Sequence, residues 1–97
     1  MIYHVVNKKN WQKAVQEGFY EAASLAAEGF IHASKIQQVA GVLERYYKDQ
    51  QDLLVLHIDE HKLTSPFTYV FSTSVNDEFP HIFGRLNLDA VINVEAL

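Results

Sequence analysis

The apolar positions change period along the chain, and those changes mark its elements. Ile2, Tyr3, Val5 and Val6 form a β-rich run around His4, a first strand with Ile2, His4 and Val6 on one face. Trp11, Ala14 and Val15 then recur at helical spacing behind Asn7 or Asn10 as the cap, and Gly18 ends that helix. Phe19-Tyr20-Glu21-Ala22 is weakly strand-like. From Ser34 to about Lys48, Ile36, Val39, Ala40, Leu43, Tyr46 and Tyr47 share one side, with Gln37, Gln38, Glu44, Arg45 and Lys48 opposite. This predicts a second helix capped by Ser34.

Leu53 to Asp59 is apolar on both faces until His57, which predicts a strand central in a sheet. Beyond Pro66, Phe67 to Ser72 forms a further strand and Ser72 to Glu78 a polar loop suited to be a mobile lid. A short turn around Leu88-Asp89-Ala90 leads into a last strand, Val91-Ile92-Asn93-Val94. Two helices and five or six strands in this order predict an α+β domain with a small sheet, mixed or antiparallel.

Between the two helices runs Ser24-Leu25-Ala26-Ala27-Glu28-Gly29-Phe30-Ile31-His32-Ala33-Ser34. Its first half reads as one helical turn capped by Ser24 and ended by Gly29. In its second half Phe30, His32 and Ser34 alternate with Ile31 and Ala33, a strand whose polar face lines a cleft.

At 97 residues there is room for one core, so residues 1–97 are taken as a single domain. Charged residues make up 21% and apolar ones 48%, which favours order throughout. The net charge of -4, with basic residues scattered apart from Lys8-Lys9, argues against nucleic acid as a partner. The chain has no cysteine, which excludes disulfides, thiolate catalysis and cysteine-bound metals. Met1 leads straight into the first strand, with no signal-peptide pattern and no apolar run near ~20 residues. A cytoplasmic location without a membrane partner is expected.

Glycine-rich phosphate loops, dinucleotide fingerprints and the nucleophile elbow do not occur. His57-Ile58-Asp59-Glu60-His61 has ligand-like spacing, but the strand ends near Asp59 and a fourth ligand is missing, so no metal is expected. What remains is His4, His32 and His81, the last in Phe79-Pro80-His81-Ile82-Phe83-Gly84, with Glu28 and Glu78 near in sequence. A lone histidine on a strand is most often structural, whereas three in apolar surroundings need partners, one another or a ligand. Imidazoles hold hydroxyls and move protons, and a carboxylate steadies an oxocarbenium-like centre, so the set suits chemistry or recognition at a sugar. The bland alternatives are exposed turns for the two glutamates and capping for Ser24 and Ser34.

Ile2-Tyr3-His4-Val5-Val6, Trp11, the Ser24 to Ser34 stretch and Phe79-Pro80-His81-Ile82-Phe83-Gly84 together resemble the bacterial family called domain of unknown function 952. The resemblance spans nearly the whole chain. It implies a split-sheet fold related to the ADP-ribosyltransferases, with a cleft for NAD or an ADP-ribose-like, nucleotide-like small molecule. By that analogy His4 contacts the ribose with Ser24 and Ser34 beside it, and His32, His81 and Glu28 or Glu78 carry any catalysis. Where the family runs Tyr-Gly-Pro-Leu after its last histidine, this chain has Phe83-Gly84-Arg85-Leu86, losing a hydroxyl and a proline. The competing expectations are a non-catalytic small-molecule or protein-binding module with the same cleft, and a structural domain whose histidines satisfy one another.

Overall fold

The computed structural model describes residues 1–97. Strand β1 (Ile2–Asn7) passes directly into helix α1 (Lys8–Glu17), because the Asn7 side-chain Oδ1 accepts the Asn10 N–H at 2.7 Å and so caps the helix. Gly18 ends α1 in the left-handed conformation, and β2 (Phe19–Tyr20) follows. The expected single turn is a helix of its own, α2 (Ala23–Glu28), closed by Gly29 at φ 90°. Ser24 is not its cap. It lies inside the first turn and its hydroxyl donates to the Phe30 carbonyl at 2.7 Å.

Strand β3 (Ile31–His32) is shorter than the alternation predicted. Ser34 does not cap the next helix either: its backbone exchanges two hydrogen bonds with Tyr3, at 2.7 and 2.8 Å. A 3-10 turn, Ile36–Gln38, precedes helix α3 (Val39–Tyr46), and the Gln38 side chain accepts the Lys35 N–H at 2.8 Å. The remaining strands are β4 (Leu53–Ile58), β5 (Phe67–Ser72), β6 (Asp77–Ile82), β7 (Leu86–Asn87) and β8 (Val91–Ala96). Thus β6 begins inside the segment expected to be a loop, leaving a turn only from Thr73 to Asn76.

The strands form three small sheets, ordered β1-β4-β8, β3-β6-β5 and β2-β7, with every pairing antiparallel. The expectation of two helices and a mixed or antiparallel sheet becomes three helices and wholly antiparallel sheets. As its pattern predicted, β4 is central and covered on both sides. Ile2, Val6, Leu54, Leu56 and Ile58 pack on one face with Ala14 and Trp11, and Val5, Leu53 and Val55 pack on the other against Val39, Val42 and Leu43 of α3. No helix is long and apolar enough to cross a membrane.

One residue divides the two three-stranded sheets. Ala33 stands opposite Pro80 and donates its N–H to the Pro80 carbonyl at 3.0 Å, but proline has no N–H to return. The chain leaves β6 there and crosses to β1 through Ser34, so residues 31–34 join the sheets at the point where they part.

Candidate functional site

A cavity of about 520 Å³ opens at this division, bounded by β1, the Ala33-Ser34 crossing, α3, and the β5–β6 hairpin with its turn. Val5, Val42, Tyr46, Phe71 and Phe79 supply much of its wall, and His4, His32, His81, Ser34, Ser72 and Thr73 supply polar edges. None of its lining residues is a lysine, arginine, aspartate or glutamate.

His4 is buried and fully engaged. Its Nδ1 meets the backbone carbonyl of His32, which only accepts, so the proton resides on Nδ1. Its Nε2 therefore carries the lone pair and accepts the Tyr20 hydroxyl at 2.9 Å. Burial pushes the His4 imidazole down to about 4 and the Tyr20 phenol upward, so both stay neutral. The expectation that His4 holds a ribose meets this arrangement: neither ring nitrogen is free, and the residue positions β3 instead.

His32 and His81 face each other across β3 and β6, with ring centres 5.5 Å apart. Gly29 reverses the chain after α2, bringing Glu28 back so that its carboxylate accepts the His32 Nε2 proton at 2.8 Å. The Nδ1 of His32 is left as the free nitrogen. His81 lies flat on Phe30, centres 3.9 Å apart and planes 6° from parallel, with Phe83 at its edge. No protein group bonds its ring nitrogens, unlike those of His4, His32 and His57. Partial burial lowers the His81 imidazole below its usual value, neighbouring His32 adds to this, and Glu28 opposes it.

The other sequence candidates divide. Ser34 lines the cavity, whereas Ser24 is engaged with Phe30. Glu78 points away, because strand alternation puts it on the face of β6 opposite to Phe79 and His81; its carbonyl accepts the Gln38 amide at 2.7 Å. His57 pairs with Glu95 at 2.9 Å and so stands apart from the other members of its motif. Asp59, Glu60 and His61 bring their ligand atoms within 4.8 Å of one another, with Asp59 also accepting the His61 backbone N–H and Glu60 pairing with the N-terminal amine.

The family model described as "Protein of unknown function (DUF952)" matches residues 5–94. The chain belongs to this family. Among solved structures, the crystal structure of protein CC0527 from Caulobacter crescentus is similar to this DUF952 chain, with TM-score 0.87 and 26% identity over 96% of this chain and 82% of that one. The solution NMR structure of CC0527 from the same bacterium gives a TM-score of 0.84 at 26% identity, over 99% and 83%. None of the curated proteins matches the chain.

Two residues of this DUF952 chain escaped the sequence reading. Gln38 was assigned to the solvated side of its helix, yet it is buried and ties α3 to the hairpin turn over the cavity. Its amide donates to Asp77 at 2.8 Å and to the Glu78 carbonyl, and Lys35 reaches the same carboxylate at 3.1 Å. A usable signal existed, since a glutamine three residues beyond a helix start commonly bonds back to it. Tyr20 gave no such signal, because its role depends on a contact with His4 far away in sequence.

Proposed function

We propose that the protein acts on a small ligand with a heteroaromatic ring and hydroxyls, as in the nucleoside part of a nucleotide, held in this cavity, with His81 and the Glu28–His32 pair as its acid–base groups. The observation that carries the proposal is the state of His81. Its ring is fixed flat against Phe30, its nitrogens are unengaged, and it stands beside a second imidazole already oriented by a carboxylate. A lowered imidazole is neutral at pH 7 and able to accept a proton from a ligand hydroxyl. His32 would receive or donate a proton through Nδ1, while Glu28 fixes its tautomer and orientation.

Relation to the ADP-ribosyltransferases is part of this proposal, supported by the motif resemblance and by a cavity lying between two small sheets. NAD fits the donor set only in part. Its rings and ribose hydroxyls match aromatic walls, imidazoles and hydroxyls, but its pyrophosphate meets no cation among the lining residues. No step is therefore routed through NAD. The non-catalytic alternative keeps the same contacts and lacks turnover.

The test is a turnover screen by proton NMR with NAD, ADP-ribose, nicotinamide and adenosine, run on wild type and His81→Phe. Phenylalanine keeps the stack on Phe30 and removes the nitrogens. Conversion by wild type that falls at least about tenfold in the variant supports acid–base action by His81. Equal conversion by both proteins contradicts it, and binding without conversion selects the alternative.

A further inference from the structure

We infer that the cavity selects uncharged, nucleoside-sized ligands and discriminates against their phosphorylated forms. The inference rests on the cavity being the ligand site, as proposed above, and goes beyond it by assigning the chemical class. A volume of about 520 Å³ suits one heteroaromatic ring with a hydroxyl-bearing substituent. Tyr46, Phe71 and Phe79 offer flat apolar surface for the ring, and Ser34, Thr73 and His81 offer hydrogen bonds at the polar edge.

A phosphate finds nothing comparable. Burying an anion without a countercharge costs far more than a hydrogen bond to a hydroxyl or a neutral imidazole returns. The basic residues nearby are engaged elsewhere or stand outside. Lys35 bonds Asp77 at 3.1 Å, and Arg85 lies over Phe19 at 3.9 Å while pairing with Glu21. Arg45 stands over the Tyr46 ring, 5.6 Å from its centre, and lines a separate small depression with Gln38 and Asp77. The protein's net charge of -4 adds a weak long-range repulsion of the same sign.

Calorimetric titration of the full chain with adenosine, AMP, nicotinamide and ADP-ribose tests this, together with the His81 ring resonances and a Thr73→Lys variant. Thr73 is in the exposed turn, so a lysine there adds a cation at the cavity rim with little demand on the core. The expected result is adenosine or nicotinamide binding about tenfold or more tighter than AMP or ADP-ribose, with the gap narrowed in Thr73→Lys. Phosphorylated ligands binding as tightly to wild type, with the His81 resonances shifting, overturn the ligand class and leave the site standing. Silence of His81 with all four ligands overturns the site itself, and this inference with it.

Discussion

The Nδ1 proton of His4 is donated to the backbone carbonyl of His32, so a buried histidine on one sheet holds the strand that presents an exposed histidine from the other. Tyr20 completes the arrangement by donating to the opposite ring nitrogen. The position of His32 thus depends on a group whose own ring nitrogens are both engaged within the protein.

Removal of the Tyr20 hydroxyl leaves a buried nitrogen lone pair without a partner. Tyr20→Phe is expected to cost about 1–3 kcal/mol in urea unfolding, with the aromatic packing retained. A loss indistinguishable from zero counts against the bond.

Acid should weaken the fold well above the usual carboxylate range. Unfolded His4 takes up a proton below its ordinary value of 6.5, whereas folded His4 does so only near 4. Unfolding therefore takes up a proton in that window, and stability falls as pH falls through it, by roughly 3 kcal/mol in all. Asp77 adds a loss in the same direction at lower pH. Its carboxyl is held below the usual range by the Gln38 amide first and then by the Glu78 N–H and Lys35, so its contribution disappears as it becomes protonated. Urea midpoints at pH 7, 6, 5 and 4.5 read the slope, and a flat profile contradicts a buried neutral His4.

Gly29 is the hinge that returns Glu28 to His32. At φ 90° an alanine is strained by about 1–2 kcal/mol even though its Cβ meets nothing within 4 Å. Gly29→Ala is expected to lower stability by that amount and to move the His32 ring resonances in NMR at fixed pH, because the Glu28 carboxylate that accepts its Nε2 proton is displaced. Unchanged resonances with full stability remove the hinge from the site.

Gln38 ties the hairpin turn to the start of α3. Gln38→Ala leaves the Asp77 and Glu78 acceptors without its amide, at about 1–3 kcal/mol. Amide hydrogen exchange from Ser72 to Glu78 should quicken more than exchange in β4. Uniform acceleration across both would mean that Gln38 supports the whole core and not the turn.

These contacts explain which features could be read along the chain. The place of β4 was readable because an apolar run on both faces has one stable location, between neighbours and under a helix. Ser34 misled because a serine ahead of a helical pattern looks like a cap, whereas its backbone is claimed by Tyr3 through a long-range pairing that local pattern does not encode. The direction of Glu78 became readable only once β6 was seen to begin at Asp77, because a residue at the end of a loop has no alternation whereas in the strand period two separates it from His81. The grouping of His32 with His81 required the β3–β6 register, which follows from tertiary pairing. The effect of Pro80, ending one ladder so that another begins, emerges only with Ala33 opposite it.

The most direct measurement is a histidine-resolved NMR titration with adenosine, nicotinamide, ADP-ribose and NAD, using all five imidazoles as reporters. Selective shifts at His32 and His81, a muted response at buried His4, and silence at His57 and His61 are expected if the cavity is the ligand site. Shifts confined to His57 and His61, or none at His81 with any of the four ligands, would contradict it.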